Sequence, residues 1–554
     1  MERERAVLSA RFLVKLAVCE VTLRGDSLTW SQNQDPGRAE RNSVPVSEII
    51  AVEEAEPDAP TKNRGRGPST APEVLEARPS GFTVSYVERG RHHCWLTRDV
   101  TFHCPSRATC HQWVQTIREL LLMLTRRPRR LLVYINPYGG KQRGKWIYEQ
   151  RVAPLFARAS ISTHVIVTQS ENQARDELAT SRDLKKYDGV VSVGGDGMFS
   201  EVVHGLIART QRDAGVDQNC AEEKLVSCKL RVGIIPAGST DCICYATVGT
   251  NDPVTSALHI IVGDSQPMDI CSVHHGGKLL RYSMSLLGYG FYGDVLTDSE
   301  RKRWMGPVRY SFSGKFSSAA EYLSPLGHRC PLLTLNVAVS PGFQTFLSHH
   351  LYEGTISFLP ATDILGSPRD KTRCRAGCPV CQHNGRLLSQ DRQVCGTDED
   401  VPQKAEQEAE WQVVHGNFVA INAATMSCAC PRSPEGLSPA AHLADGTTDL
   451  ILVHNCSLLD FLRHLMRHTN EKDQFDMSFV EVHRVRRFRF TPKNSRGHQK
   501  LEKKLNANKP LEPTCRDDHA YSSWTCDGEI LKHVAVEVRV HWGLIQLFAR
   551  GIED

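Results

Sequence analysis

A short apolar strand at residues 189–193 runs directly into Gly194-Gly195-Asp196-Gly197, and a helix-like stretch follows it. Glycines let the backbone approach a ligand at points where a Cβ atom would clash. The start of the following helix offers unpaired N–H groups and the positive end of the helix dipole to an anion. The segment predicts a phosphate-binding turn in which Asp196 can take a proton from an attacking hydroxyl. It indicates a kinase that does not use the usual phosphate loop.

Two further strands end in glycine-bearing turns. The strand at 131–135 is followed by Asn136-Pro137-Tyr138-Gly139-Gly140-Lys141, and the strand at 231–236 by Ala237-Gly238-Ser239-Thr240-Asp241. A strand at 163–168 and helices around 146–156 and 172–178 complete an alternating pattern. Such alternation predicts a parallel sheet with ligands at the carboxyl ends of its strands. One such turn could be purely structural, but three at one edge favour a nucleotide site.

Length and composition limit the class of protein. The chain has 554 residues, which predicts two to four domains, and its net charge of +4 is too weak to argue for nucleic acid. No run reaches the roughly 18 apolar residues of a membrane span, and the charged N-terminus lacks the apolar core of a signal peptide. We therefore expect a cytosolic protein. Its odd number of cysteines, 19, favours free thiols or a metal over a disulfide framework.

Residues 1–125 form a predicted β-rich unit closed by a helix at 108–124, whose apolar positions around Trp113 have helical spacing. Strands followed by one helix with a central Trp resemble a pleckstrin-homology domain. The resemblance implies that basic loops bind phosphoinositide head groups, and the hypothetical contacts are Arg89, Arg91, His92 and His93. The basic run at 126–130 is either a solvated linker or an added attraction to an anionic membrane.

Beyond residue 268 the chain is predicted to be rich in β-structure. Residues 281–286, 488–490 and 534–540 alternate as half-exposed strands do. The polar stretches at 366–410 and 493–518 are expected to be loops.

Four ordered motifs resemble those of the diacylglycerol and sphingosine lipid kinase family, over a region from Leu131 to the C-terminus. They are Asn136-Pro137-x-Gly139-Gly140, Gly194-Gly195-Asp196-Gly197, Pro236-Ala237-Gly238-Ser239-Thr240 and Asp527-Gly528-Glu529. The pleckstrin-like start, Cys374-x3-Cys378-x2-Cys381 and the motif at 285–294 are similar to the ceramide-phosphorylating branch of that family.

The resemblance implies an α/β nucleotide-binding lobe at 128–275 and a β-sandwich, lipid-binding lobe at 276–554, preceded by the small β-rich pleckstrin-homology-like domain. It places the active site in the cleft between the two lobes. It also implies ATP-dependent, Mg²⁺-requiring phosphorylation of the primary hydroxyl of ceramide, by a cytoplasmic enzyme that is peripheral on Golgi or plasma membranes. Kinases for sphingosine or diacylglycerol, and a silent scaffold that binds lipid and calmodulin, remain alternatives.

The resemblance assigns roles to individual residues. Asp196 becomes the general base, a role that contributes roughly 10²–10⁴-fold to a rate. The alternative is a plain cap on the helix that follows it. The glycines of its turn and Asp294 are expected at the lipid substrate. The expected nucleotide-binding residues are Asn136, Pro137, Tyr138, Gly139, Gly140, Lys141, Thr168, Gly194, Gly195, Gly197, Glu201, Ser239, Thr240, Arg303, Arg309, Asp527, Gly528 and Glu529.

Several of these roles have simpler alternatives. Glu201 is either turned to the nucleotide or an ordinary solvated helix residue. Arg303 and Arg309 either neutralise phosphate charge, for which the planar guanidinium is suited, or belong to a solvated basic loop. Asp527-Gly528 is also typical of a simple hairpin turn. Related kinases carry Asn near Asp241, so that residue receives no nucleotide role.

The cysteine cluster allows two interpretations. Cys374, Cys378 and Cys381, with Cys428 and Cys430 downstream, could supply the thiolates of a tetrahedral zinc site. The spacing lacks the two CxxC pairs of a strong zinc signature, and redox-sensitive or packing thiols are the alternative. The family resemblance implies that the cluster is needed for activity.

Two other stretches carry predictions. Residues 458–468 form an amphipathic basic helix, typical of a calmodulin target or of packed core. Such stripes are more often packed core, and the resemblance adds support for calmodulin, with Ca²⁺ acting through it. Residues 314–342 are expected to be an insertion relative to the family.

Overall fold

The computed structural model describes residues 6–32, 41–55, 80–180, 183–301, 341–394, 410–468, 473–493 and 521–553. The chain divides into two compact units. The first comprises 1–131, 146–164 and 252–264, and the second comprises 132–145, 165–251 and 265–554. No helix within these described ranges is long and apolar enough to cross a membrane.

The N-terminal part of the first unit is a seven-stranded sheet in the order β4-β3-β2-β1-β7-β6-β5, and the strand pairs whose direction is resolved are antiparallel. Its elements are β1 (Ala6–Val14), β2 (Ala17–Arg24), β3 (Ser27–Gln32), β4 (Arg41–Pro45), a 3₁₀ turn (Val46–Glu48), β5 (Ile49–Ala55), β6 (Ser80–Arg89), β7 (Trp95–Cys104) and α1 (Arg107–Met123).

Helix α1 lies within one residue of its predicted position. Ser106 begins it, with a side-chain oxygen that accepts the Thr109 N–H at 3.1 Å. Trp113 is buried beneath the sheet, and its ring meets Phe12 edge-on at 4.9 Å. The central Trp predicted from sequence is therefore the residue that closes this core.

Arg89 has a structural role, although its side chain is 38% exposed. Its guanidinium pairs with the buried Glu48 and lies over the Trp95 ring, 4.5 Å from the centroid. Trp95 in turn stacks on His259 at 3.7 Å, within the same unit. The side chains of Arg91, His92 and His93 are also exposed, in the turn between β6 and β7.

The remaining elements follow in chain order. The helices are α2 (Gly144–Ile147), a π-helical turn (Tyr148–Val152), α3 (Ala153–Arg158), α4 (Gln173–Thr180), α5 (Asp196–Ala214), α6 (Cys242–Val248), α7 (Pro253–Val262), α8 (Phe291–Arg301), α9 (Pro341–Ser348), α10 (Pro379–Val394) and α11 (Leu458–Arg467). The strands are β8 (Arg130–Ile135), β9 (Ser162–Val167), β10 (Gly189–Gly194), β11 (Arg231–Pro236), β12 (Ser265–His275), β13 (Lys278–Ser283), β14 (Leu286–Gly290), β15 (Tyr352–Pro360), β16 (Gln412–Ala424), β17 (Thr448–His454), β18 (Val480–Pro492), β19 (Thr525–Cys526), β20 (Glu529–Ile530) and β21 (Val536–Phe548).

One large sheet runs β20-β19-β14-β16-β15-β18-β21-β11-β10-β8-β9. Strands β10 and β11 are parallel, as the alternation of strands and helices predicts, and β12 to β18 pair antiparallel. In register, Gly194 lies opposite Pro236, so β10 and β11 end at the same level. Two predictions need correction. The predicted strand at 281–286 is interrupted between β13 and β14, and α10 forms within the stretch expected to be a loop.

Candidate active site

The three glycine-bearing turns meet at one edge of the parallel strands. We call 136–141, 194–197 and 236–241 the first, second and third turns. The Asn136 N–H donates to the Val193 carbonyl and the Ala237 N–H to the Gly194 carbonyl, both at 2.9 Å. These bonds tie each outer turn to the end of β10, so the structure brings together the three turns that the sequence predicted to converge.

Glycine is required where the turns approach one another. Gly140 has φ +57°, and a Cβ atom there would lie 2.6 Å from the Ala237 carbonyl oxygen. A Cβ atom on Gly238 would lie 2.5 Å from both the Gly195 Cα and the Asp241 Oδ1. The turns are therefore closer together than residues with a side chain at these two positions would allow.

Asp196 is the first residue of α5, but it caps a different helix. Its carboxylate oxygens accept the N–H groups of Cys242 and Ile243, each at 3.0 Å, at the start of α6. Burial raises the pKa of Asp196 and the Asp527 charge adds to the rise, while the two N–H bonds oppose it. The result is a fixed, partly buried carboxylate with raised basicity between the second and third turns.

Asp241 also binds the third turn. It adopts the left-handed backbone region at φ +51°, and its Oδ1 accepts the Gly238 N–H at 2.9 Å. Burial raises the pKa of Asp241 to about 7, and the neighbouring Asp196 contributes. Asp196 and Asp241 therefore hold the start of α6 and the third turn in place together.

Other predicted nucleotide residues line the same edge. Asn136 folds the first turn, because its Oδ1 accepts the N–H groups of Tyr138 and Gly139 at 2.8 and 3.1 Å. Thr168 is buried, and its hydroxyl donates to the Ile135 carbonyl at 3.2 Å. The residues whose side chains or backbone are exposed at the turns are Tyr138, Gly140, Lys141, Gly197, Ser239 and Thr240.

Glu201 takes a position that neither sequence interpretation described. Its carboxylate accepts backbone N–H groups of Asn172 and Ala174 at the start of α4, and burial raises its pKa. One of its oxygens, Oε2, is buried without a hydrogen-bond partner among the described groups. Glu201 therefore fixes α4 against α5.

The Asp527-Gly528-Glu529 motif forms the hairpin turn between β19 and β20. Asp527 and Gly528, at the centre of the turn, have positive φ values of +49° and +88°. The Asp527 carboxylate accepts the N–H groups of Met284, Ser285 and Leu286 at 2.7–2.9 Å. The simple-hairpin alternative describes this geometry. The negative charge of Asp527 also contributes to the raised pKa of Asp196.

Glu529 makes an ion pair that the sequence did not indicate. Arg281 of β13 donates to both of its carboxylate oxygens at 2.6 Å and to the Ser200 hydroxyl at 3.2 Å. Because Ser200 lies one turn after Asp196 on α5, Arg281 is a cation close to the second turn. No motif surrounds Arg281, so sequence reasoning had no signal for it.

Asp294 is held by two hydroxyl groups. The Tyr352 and Ser522 hydroxyls each donate to one of its oxygens at 2.6 Å. Arg303 and Arg309 lie outside the described residues. So does the predicted insertion at 314–342, apart from its last two positions, which begin α9.

Comparison with known proteins identifies the family. Residues 8–117 match the ceramide kinase PH domain, 130–273 the diacylglycerol kinase catalytic domain, and 384–554 the ceramide kinase C-terminal domain. A ceramide kinase from Homo sapiens is 52% identical, over 98% of this chain and 96% of that protein. The chain belongs to the ceramide kinase family. A ceramide kinase from Mus musculus is 50% identical, over 98% and 97% of the two chains.

This ceramide kinase family member thus carries the pleckstrin-homology and lipid-kinase domains expected from its motifs. Among solved structures, a diacylglycerol kinase from Bacillus anthracis str. Sterne aligns with a TM-score of 0.43 and 12% identity. That alignment covers 76% of this chain and 97% of the other.

The cysteine cluster includes a residue that the sequence prediction missed. The side chains of Cys374, Cys378, Cys381 and His442 converge, with their ligand atoms all within 4.8 Å of one another. Hydrogen bonds from the Cys374 and Cys381 thiols hold the pKa of Cys378 well below its usual range. Cys428 and Cys430, the expected additional thiols, instead lie near Cys242.

Helix α11 buries its apolar face. Phe461, His464 and Leu465 are buried, and Phe461 meets the rings of Phe291 and Phe346 at 5.0 and 6.2 Å. Of the two alternatives for this helix, calmodulin target and packed core, these contacts support packed core.

Proposed function

We propose that this chain transfers the γ-phosphoryl group of ATP to the primary hydroxyl of ceramide, giving ceramide 1-phosphate. The observation that carries the proposal is the convergence of three glycine turns around Asp196. Backbone N–H groups and a helix start favour phosphate there. Membership of the ceramide kinase family supports ceramide as the lipid.

Asp196 acts as the general base in this proposal. It accepts the hydroxyl proton of ceramide while that oxygen forms a bond to the γ-phosphorus. The bond from phosphorus to the bridging oxygen breaks, and ADP leaves. Hydrogen bonds from two backbone N–H groups keep the Asp196 carboxylate in position, and burial makes it a stronger base by raising its pKa. Positioning and charge neutralisation supply the rest of the rate enhancement.

The residues present fit a Mg²⁺ ion that is bound mainly by ATP and water. Both oxygens of Asp196 and Asp527 already accept backbone N–H groups, whereas Asp241 uses Oδ1 for Gly238. Mg²⁺ in kinases often uses only one or two carboxylates beside phosphates and water. Asp241 is the candidate protein ligand, and the ion would neutralise charge on the phosphates.

Cations complete the site. Arg281, close to the second turn and paired with Glu529, is placed to attract phosphate oxygens in addition to Arg303 and Arg309, the residues favoured by family resemblance. Asp294, fixed by Tyr352 and Ser522, is proposed to orient the lipid head group. Zinc takes no part in phosphoryl transfer in this proposal.

A phosphoinositide-containing membrane is the proposed partner of the N-terminal domain, at the exposed turn with Arg91, His92 and His93. This contact would make a cytoplasmic enzyme peripheral on Golgi or plasma membranes. Arg91→Ala combined with His92→Ala should reduce vesicle binding, and unchanged binding would exclude this turn. Arg89→Ala serves as the contrast, because it should lower thermal stability through loss of the Glu48 pair.

Calmodulin, with Ca²⁺, is a proposed regulatory partner at α11. The basic amphipathic sequence supports it. Because Phe461 and Leu465 are buried, the helix must leave its packing before calmodulin can enclose its apolar face. Ca²⁺-dependent binding of calmodulin to the intact chain tests this, and binding only to the isolated 458–468 peptide would overturn it.

The decisive experiment for the kinase proposal uses radiolabelled ATP with ceramide, sphingosine and diacylglycerol in matched detergent micelles. We expect label in the ceramide product, and at least about tenfold less in the other two lipids. Preference for sphingosine or diacylglycerol would change the substrate assignment. Absence of lipid-dependent transfer from all three, in protein that still binds ATP, would favour the scaffold alternative.

A further inference from the structure

We propose that Cys374, Cys378, Cys381 and His442 bind one structural Zn²⁺ ion, with His442 Nδ1 as the fourth ligand. This site is separate from phosphoryl transfer and does not depend on which lipid the enzyme uses. Three thiolates and one imidazole form a closed ligand set, the composition typical of structural zinc. Within the described ranges, no other group of three or more His, Cys, Asp or Glu side chains has this proximity.

The distances fit a tetrahedron. A Zn–S bond of about 2.3 Å implies a separation of about 3.8 Å between two sulfur ligands, and about 3.6 Å between a sulfur and a nitrogen ligand. The Cys374 and Cys381 Sγ atoms are 3.7 Å apart, and the Cys378 Sγ is 3.3 Å from His442 Nδ1. A disulfide needs its sulfur atoms about 2.0 Å apart, so the cysteines are spaced for a metal rather than for a bond.

The ligands come from separate parts of the chain. Cys378 immediately precedes α10, and Cys381 lies in its first turn, while Cys374 is in the loop before them. His442 is 64 residues beyond Cys378 and is 1% exposed. A metal at this point would join the start of α10 to the segment that carries His442.

The segment that carries His442, residues 436–447, has an unusual backbone. It is buried almost throughout but contains no helix or strand. Buried irregular backbone is unusual, because its polar groups must all find partners. The polar ties include the Arg484 guanidinium to the Ala440 carbonyl at 2.6 Å and the Gly446 N–H to Asp269 at 2.6 Å. Zinc bound to His442 would hold the segment in place between the hydrogen bonds at Ala440 and Gly446.

Metal analysis of the full-length chain, purified without chelator, tests the proposal. We expect about one zinc per chain, and Co²⁺ replacement should give thiolate charge-transfer bands and the d–d bands of a tetrahedral site. Cys378→Ser and His442→Ala should lose most of the metal or release it to a chelator at least about tenfold faster. His442→Cys should keep one zinc, because four thiolates also form a stable site.

Cys220→Ser is the matched control, because Cys220 is exposed and distant in sequence from the cluster. The protein with this substitution should keep its zinc. The Co²⁺ spectrum of the unmodified protein needs no variant to fold. Less than about 0.1 zinc per chain together with no tetrahedral Co²⁺ spectrum would overturn the proposal. So would a Cys374–Cys381 disulfide in the purified protein. Unchanged metal content and release rate in His442→Ala would overturn His442 as a ligand.

Discussion

The strand-end turns and the Cys/His cluster are both places where distant segments meet, but they are assembled in opposite ways. At the turns, backbone meets backbone so closely that a Cβ atom added to Gly140 or Gly238 would lie 2.5–2.6 Å from its neighbours. At the cluster, four side chains converge, and the backbone that carries His442 is irregular. The first arrangement is the proposed site of an anion, and the second, with its sulfur and nitrogen lone pairs, is the proposed site of a cation.

This difference implies a catalytic role for the turns and a structural role for the cluster. Asp196 and Asp241 stabilise the turns but stay beside the volume where phosphates are proposed to bind. The cluster residues are mostly buried, and their proposed ion has a closed coordination shell. Changes at the turns should therefore affect catalysis more than stability, and changes at the cluster should do the reverse.

The largest expected effect is that of Asp196→Asn on activity. Removing the base should lower kcat by about 10²–10⁴-fold. Stability should fall by only about 0.5–2 kcal/mol, because Asn keeps one oxygen for the start of α6. Initial rates with saturating ATP and ceramide, and thermal unfolding, measure the two effects. Asp213→Asn, exposed on the same helix, is the matched control. Full activity in Asp196→Asn would exclude the base role.

Metal removal tests the opposite side of the comparison. If zinc links 436–447 to α10, chelation should destabilise the protein by about 2–5 kcal/mol, the scale of losing a covalent cross-link. Hydrogen exchange should rise in peptides covering 374–381 and 436–447, and fall again when zinc is restored. Nucleotide binding at the turns should persist at temperatures below unfolding. Unaltered exchange in both peptides after complete metal removal would contradict this view.

The sequence predicted the turns well because their signals are local. Each glycine motif directly follows an apolar strand, so residues 136, 194 and 236 indicate their own position at the sheet edge. His442 had only a weak signal, a lone histidine in an apolar run, and its hydrogen-bond partner Cys378 is 64 residues away. Proximity of that kind is set by tertiary packing, which no local pattern records.

Helix α10 was missed for a related reason. Its buried face includes Asn384, which is fully buried and exchanges hydrogen bonds with the Leu365 backbone. A polar residue at a core position breaks the apolar periodicity that predicts a helix. The cap of α6 by Asp196 was missed because donor and acceptor lie 46 residues apart.

Gly238→Ala should have a smaller effect than loss of the base, and one confined to the turns. Its Cβ atom would lie 2.5 Å from the Gly195 Cα, so the second and third turns must separate. Overpacking of this kind costs about 1–3 kcal/mol, which we expect as roughly 5–150-fold weaker ATP binding with zinc content unchanged. Equilibrium nucleotide binding measures it. Gly25→Ala is the control, because no atom lies within 4 Å of its added Cβ. Equal ATP affinity in the two variants would show that the turns tolerate separation.

The smallest expected effect, and the one most dependent on pH, is that of Asp241→Asn on stability. Burial raises the pKa of Asp241 to about 7 in the folded state, above the ordinary value of 3.8, so the folded protein holds a proton that the unfolded chain releases. Its contribution to stability is therefore fully present below about pH 4 and is lost as the pH rises towards 7. Asn keeps the oxygen that accepts the Gly238 N–H but cannot ionise. Unfolding temperatures of the two proteins should thus agree near pH 3.5 and diverge by a few degrees at pH 8, with the variant more stable. Parallel curves across this range would mean that Asp241 is already ionised in the folded turn, and that its charge is balanced by a cation.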